Sequence, residues 1–401
     1  MNGIYRLKGS LQYYQWGGGD YLPGLLGLPK QAHQHYAEWW LGAHPSSPSM
    51  LEISGEWQPL TAFLAENPTA LGNDSRKKFG NQLPYLLKIL DVEKPLSIQL
   101  HPTKQQAEAG FMRENAAGIA LNAPTRTYKD DNHKPEMMIA LSDFWLLHGF
   151  KPKADIIADL NARPSLTALA EKLVVQDLHN FYADIMQASQ AQLAGWLHPI
   201  ITHNRGAYAA DRLLPDNPDY WVLYSMEAMD IHSDKLDPGL ICFYIFNIVH
   251  IKPGEGIYQD AGMPHAYLRG QNIELMACSD NVIRGGLTPK HVDIAQLLQV
   301  VDCREVKPEI IPVASHDQAQ FTYWTPAQDF ALTRLQYAAA DRLHGQAHSA
   351  EIVLVMQGAV KIASNHSTLT LTQGESAFIC ADTRYMIDAE QSGYAVVAKL
   401  P

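Results

Sequence analysis

The feature that most restricts the fold is a rhythm of short apolar runs broken by glycine and proline turns. Leu240 to Val249 leads into the turn Pro253-Gly254-Glu255-Gly256, the run Ile257-Tyr258-Gln259, and a second turn, Ala261-Gly262-Met263-Pro264, that delivers His265. Apolar runs of this length bounded by such turns read as strands, and strand, turn, strand, turn is the rhythm of a jelly roll. It occurs twice. Gly374-Glu375-Ser376-Ala377-Phe378-Ile379 mirrors residues 254–259, and Tyr385 stands eleven positions after its leading glycine, where the first copy has His265. The second copy lacks that imidazole, so it reads as a smaller unit kept for its sheet.

Residues 1–151 carry the same β character, as in Leu7 to Trp16 ahead of Gly17-Gly18-Gly19 and in Tyr85 to Leu90, where Lys88 interrupts an apolar run and needs a partner once buried. From residue 152 to 237 the period changes. Leu166, Leu169, Ala170 and Leu173, then Leu178, Phe181 and Ile185, follow helical spacing. This stretch is expected to be a helical insert that packs a core and supplies no chemistry. A polar, proline-bearing stretch between Glu305 and Pro326 marks the change from one β unit to the next. The expected organisation is a discontinuous β unit (residues 1–151 and 238–315), a helical insert (152–237) and a C-terminal β unit (316–401). A chain of 401 residues, 46% of them hydrophobic, has the material for two or three such cores.

Three motifs carry candidate chemistry. In Ser97-Ile98-Gln99-Leu100-His101-Pro102 a strand puts residues two apart on one face, so Gln99 and His101 aim at one point, Ile98 and Leu100 turn to the core, and Pro102 ends the strand. Asp131-Asn132-His133-Lys134-Pro135-Glu136 adds a carboxylate at the head of the apolar run Met137 to Leu141, and Gly262 to Tyr267 adds His265. Gln99, His101, Glu136 and His265 form a cysteine-free, borderline-hard donor set that suits Zn²⁺ and leaves a position for water or substrate. Each histidine taken alone has an ordinary reading as a hydrogen-bonded structural residue. Two further readings stay open: an iron-dependent oxygenase, against which Gln99 and the flanking cations weigh, and a non-catalytic phosphosugar-binding module.

The formal charge of -11, from 42 acidic and 31 basic residues, argues against a nucleic-acid partner, which needs clustered cations. A small anionic substrate would have to be held by local cations, and Lys134, Arg284 and Lys290 lie beside the motifs. The run Leu240 to Ile251 is too short to span a bilayer and no basic-then-apolar segment opens the chain, so neither membrane insertion nor export is expected. Cys242, Cys278, Cys303 and Cys380 are isolated in sequence, which favours free thiols in a reducing compartment, the cytoplasm.

Residues 97–102, 132–136, 254–267 and 281–291 (Asn-Val-Ile-Arg-Gly-Gly-Leu-Thr-Pro-Lys-His), with Trp39-Trp40-Leu41-Gly42-Ala43-His44-Pro45, together resemble the type I mannose-6-phosphate isomerases over nearly the whole chain. The resemblance implies a mainly β fold of two cupin (jelly-roll) barrels with an α-helical insert domain. It also implies an aldose-ketose isomerase that interconverts mannose 6-phosphate and fructose 6-phosphate through an enediol(ate), with one zinc per chain on Gln99, His101, Glu136 and His265. Arg284 would stabilise the enediolate or hold the anionic end of the substrate. His133 with Lys134 is the favoured proton-moving pair, and Glu274 and Asp280 are the alternatives. Lys290 would meet the phosphate, with Lys88, Ser97 and Tyr267 as further substrate contacts. The expected partner is a small phosphosugar, and the expected assembly a monomer.

Overall fold

A computed structural model of the chain describes residues 3–313 and 318–401, so the expected boundary between residues 315 and 316 lies outside the described residues. The fold is mainly β. Among the described residues two ten-stranded sheets form, and the ladders between their strands are antiparallel. Each sheet runs between two edge strands, Gln320–Tyr323 to Glu56–Pro59 in one and Phe246–Ile251 to Ser10–Gln12 in the other. No ladder closes on itself, so the sheets are open where closed barrels were expected. Pro59 helps to end one edge, since proline has no N–H to offer another strand.

The sheets pack face to face, and the period of two shows in their burial. All eight residues of Tyr85–Val92 are buried. Leu87 and Ile89 face Ile352, Leu354, Phe378 and Val396 of the other sheet, while Leu90 and Val92 face the opposite way, with Met138, Leu146 and Ile257. At about 1.5–3 kcal/mol per fully buried Leu, Ile or Phe, this shared core binds the sheets strongly. The Tyr85 hydroxyl adds a polar tie, donating to the carbonyls of Ala350 and Ala398 at 2.9 and 3.0 Å.

Two features depart from the sequence reading. Ile4–Lys8 lies between Ser376–Ile379 and Met50–Ile53, so strands from the first 59 residues complete the C-terminal sheet. Ile4 joins the core inside that sheet and Leu7 the core between the sheets, an apolar residue for each face. The run from Leu240, expected to be extended, instead forms a 3-10 turn, Pro238–Ile241, and a short helix, Cys242–Ile245, before the strand opens at Phe246. Asp237 caps that turn by accepting from the N–H of Gly239 and Leu287. A run buried on every side has no period to separate helix from strand.

Five α-helices, from Lys153–Asn161 to Pro218–Ala228, follow the strand Phe144–Phe150, and Ile98 and Leu100 pack into their core. The element that builds the site is the long strand His265–Ala277. Its first part pairs with Phe144–Phe150 and with Gln99, and its second part lies between Tyr85–Val92 and Glu136–Ala140. The exchange occurs at Gly270, where φ is +127° and a Cβ would stand 2.7 Å from the carbonyl oxygen of Asp143. Only glycine fits such a bend.

Candidate functional site

Gln99–Leu100 is a two-residue strand held between His265 and Arg284, with Gln99 directly opposite both. His101 follows it, and the His101 Nδ1 lies 2.7 Å from the carbonyl of Asn281. A carbonyl only accepts, so Nδ1 carries the proton and Nε2 presents a bare lone pair. His265 repeats the device, with Nδ1 2.9 Å from the carbonyl of Met263. Glu136 opens its strand, with Oε1 3.2 Å from His101 Nε2 and Oε2 3.3 Å from His265 Nε2. Lys134 Nζ lies 3.1 Å from Oε1.

The three ligand atoms lie within 4.8 Å of one another and all three residues are buried. Both Nε2 atoms and Glu136 Oε2 lack a hydrogen-bond partner among the described residues. Lone pairs facing lone pairs in a dry interior repel, and a cation among them turns that cost into coordination. The donor chemistry fits zinc, with Gln99 on the same face as an oxygen donor. Burial lowers the His101 pKa to about 4, against the opposing field of Glu136, so the ring is neutral near pH 7. Burial also works to raise Glu136, but the Lys134 ammonium leads the interactions that outweigh it, and the carboxyl is held well below its usual range. The residues are therefore in the states that a metal requires.

Further along the same face a charged row crosses three strands. Trp40 and Glu274 both lie opposite Lys88. The ammonium of Lys88 is 3.4 Å from Glu38 and 3.3 Å from Glu274, and 4.9 Å from the centre of the Trp40 ring, whose N–H donates to Glu38. Burial would lower Lys88, but Glu38 and Glu274 more than reverse it, so the amine stays charged. Glu274 is raised, first by burial and then by Glu136. Among the described residues, seven of the twelve buried side-chain atoms without a hydrogen bond belong to this interior: those of His101, Glu136, Gln259, His265 and Tyr267, and both of Asn272. Such a concentration marks a space built to receive polar groups.

The fold thus brings together Gln99, His101, Glu136, His265 and Lys134, with Lys88, Glu274 and Tyr267 on the same inner face. Arg284 is half-buried beside Gln99, and no carboxylate among the described residues pairs with it. Ser97 is half-buried just before the strand. The expected pair of His133 and Lys134 is divided. Neighbours in extended chain point opposite ways, and while Lys134 meets Glu136, the His133 ring lies 2.9 Å from Asp329. Asp280 is largely exposed and bonded to His44 at 3.2 Å, and Lys290 is exposed. Sequence reasoning passed over Glu38, His148, Gln259 and Asn272, and read Trp40 as a core aromatic. Their only signal is a shared strand parity with Lys88, Glu136 and His265, which becomes visible once register is known.

Comparison with known proteins agrees with this geometry. Residues 4–153 match the family model described as phosphomannose isomerase type I, catalytic domain. The mannose-6-phosphate isomerase of Salmonella typhimurium is 36% identical over 390 residues, covering 94% of this chain and 95% of the relative. That of Escherichia coli (strain K12) is 33% identical over 387 residues, with the same coverage. A crystal structure of the Salmonella typhimurium enzyme bound to its substrate, fructose 6-phosphate, and a zinc atom superposes with a TM-score of 0.86, at 33% identity, over 99% of both chains.

Proposed function

The chain belongs to the type I mannose-6-phosphate isomerases, and on that premise we propose that it interconverts mannose 6-phosphate and fructose 6-phosphate with one zinc held by Gln99, His101, Glu136 and His265. The observation that carries this reading is the convergence of two bare imidazole nitrogens on one buried carboxylate. Zinc held by these residues would supply Lewis-acid chemistry to the sugar's oxygens.

The reaction moves a proton between C1 and C2 through an enediol(ate), so a base must take the proton from one carbon and return it to the other. Glu274 is the better supported candidate: it is buried, raised toward neutrality by its surroundings, and diagonal to Glu136 on the neighbouring strand. Lys88, locked against it, keeps a positive charge beside that carboxylate. Lys134 fixes Glu136 and adds a cation beside the reacting oxygens. Arg284, unpaired and next to Gln99, is assigned to the charge that develops on the enediolate. Lys290 reaches the phosphate from the solvent side, and Tyr267 and Ser97 complete the sugar contacts.

The same reading takes residues 1–151 with 238–315 as a catalytic cupin, 152–237 as a helical insert and 316–401 as a degenerate cupin. Tyr385 supports the last assignment, because its hydroxyl bonds to the buried Glu351 at 2.7 Å. We expect a monomer acting in the cytoplasm. Chelated protein should lose conversion of mannose 6-phosphate to fructose 6-phosphate, and added zinc should restore it, with metal content measured in parallel. Full turnover by metal-free protein would refute the reading.

A further inference from the structure

On the inner face, Gln259 is the side chain whose bonding is half complete. It is 0% exposed and lies opposite Glu136 in the ladder between Gly256–Gln259 and Glu136–Ala140, so the two side chains leave the sheet on the same side. Its Oε1 lies 2.8 Å from His148 Nδ1. An amide oxygen has no proton to give, so the imidazole donates. His148 is buried, lies opposite His265, and has its own carbonyl tied to Asn247 Nδ2 at 3.0 Å. The ring and the amide are therefore fixed as a unit.

That leaves Gln259 Nε2 without a hydrogen-bond partner among the described residues, and across the ladder Glu136 Oε2 also has none. Bulk solvent does not reach either residue. The two open atoms require different things, since an N–H needs an acceptor and a carboxylate oxygen needs a cation or a donor. An oxygen atom bound to a cation satisfies both at once.

Resting on the metal reading above, we propose that Gln259 Nε2 donates a hydrogen bond to an oxygen atom carried by the metal, and that His148 is the positioning residue that holds the amide in that orientation. Water and a sugar oxygen share this chemistry. Such a donor favours the more negative form of the oxygen it meets, so it would lower the pKa of a bound water or strengthen the hold on a substrate oxygen.

The test uses the full chain loaded with cobalt in place of zinc, in five forms: wild type, Gln259→Met, Gln259→Glu, His148→Phe and the Gln259→Met/His148→Phe double variant. Gln259→Glu keeps an acceptor for His148 and removes the donor while adding a charge opposite Glu136, so it serves where Gln259→Met does not fold, with the metal stoichiometry checking that the new carboxylate binds no second ion. Metal stoichiometry should remain one. kcat/KM should fall by about ten- to hundredfold in each single variant and no further in the double, because both changes remove one bond. If the oxygen is water, the pH transition of the cobalt absorption spectrum in sugar-free protein moves to higher pH in the variants. If it belongs to the sugar, that transition stays, and the spectral change on adding fructose 6-phosphate requires at least about tenfold more sugar, the low end of such outer-shell effects. Folded, cobalt-loaded variants that match wild type in both spectra, or single effects that add in the double, overturn the proposal. A wild type that binds no cobalt removes the metal reading instead.

Discussion

Each imidazole of the cluster gives its Nδ1 proton to a main-chain carbonyl, and that bond leaves Nε2 free for a cation. On the proposed metal reading, replacing either ring removes a candidate ligand from the cluster. His265→Ala should lower metal content from about one ion to near zero and turnover by a thousandfold or more, as a lost zinc ligand implies; elemental analysis of the purified variant is the check. Arg284 and Lys290 should separate kinetically. A group that meets charge only in the transition state changes kcat, whereas one that grips a phosphate of constant charge changes KM. Arg284→Ala is expected to lower kcat by about a hundredfold with zinc retained, and Lys290→Ala to raise KM alone. A normal kcat with a raised KM in Arg284→Ala would move Arg284 to the phosphate. Burial also fixes a pH dependence. His148 is lowered by burial to about 4, against about 6.5 in an unfolded chain. Across that window the unfolded chain binds a proton that the native chain refuses, so stability falls as pH falls from 6.5 to 4, and His101 adds to the slope. The thermal midpoint of metal-free protein should drop over this range, and less steeply in His148→Gln.

The strand His265–Ala277 has its two halves in different company, and Gly270 is where it changes partners. Gly270→Ala should cost about 1–3 kcal/mol from its backbone conformation alone, with a further loss as the new Cβ meets the Asp143 carbonyl. Since the bend sets His265 against Glu136, metal affinity should fall with the thermal midpoint. An unchanged affinity in folded Gly270→Ala would mean that the bend does not position the ligand. The helices from Lys153 to Ala228 stand in contrast. His198 bonds the Ser233 carbonyl at 2.8 Å on an exposed face, and His198→Gln should leave kcat within about twofold, as surface changes away from the chemistry do. The elements differ in the same way in how far the sequence reveals them. The meeting of Gln99, His101, Glu136 and His265 at one place was legible because period-two alternation and proline or glycine turns mark strand ends. The helices were legible from their 3.6 period. The run Leu240–Ile245 was not, since uniform burial erases periodicity. Nor was the separation of His133 from Lys134, which depends on where extended chain begins before Glu136. Gln259 and Asn272 were not singled out by any local pattern of their own, because what brings them to the inner face is register with distant strands.

At the scale of the whole molecule, sequence order misleads about which parts stand alone. The C-terminal copy of the turn motif lacks a metal-type imidazole, yet its sheet is fastened to the site at several points. Tyr323 donates to the Gly254 carbonyl at 3.0 Å in the turn ahead of Gln259, Asp329 holds His133, and Ala350 and Ala398 receive the Tyr85 hydroxyl. The strand Ile4–Lys8 crosses in the other direction to pair with Ser376–Ile379. The apolar core between the sheets draws Leu87, Ile89, Met137, Ile273 and Leu275 from one side and Ile352, Leu354, Phe378 and Val396 from the other, so neither side can bury its face without its partner. A chain ending at residue 313 keeps every candidate site residue and should nonetheless fail to fold or bind zinc, because half of that core would face water. In the intact chain the same coupling predicts one unfolding event, with far-UV circular dichroism, bound metal and turnover lost at a common temperature. A soluble, active chain ending at residue 313, or a separate early transition that spares turnover, would show that the C-terminal sheet is an appendage rather than the second wall of the core that backs the site.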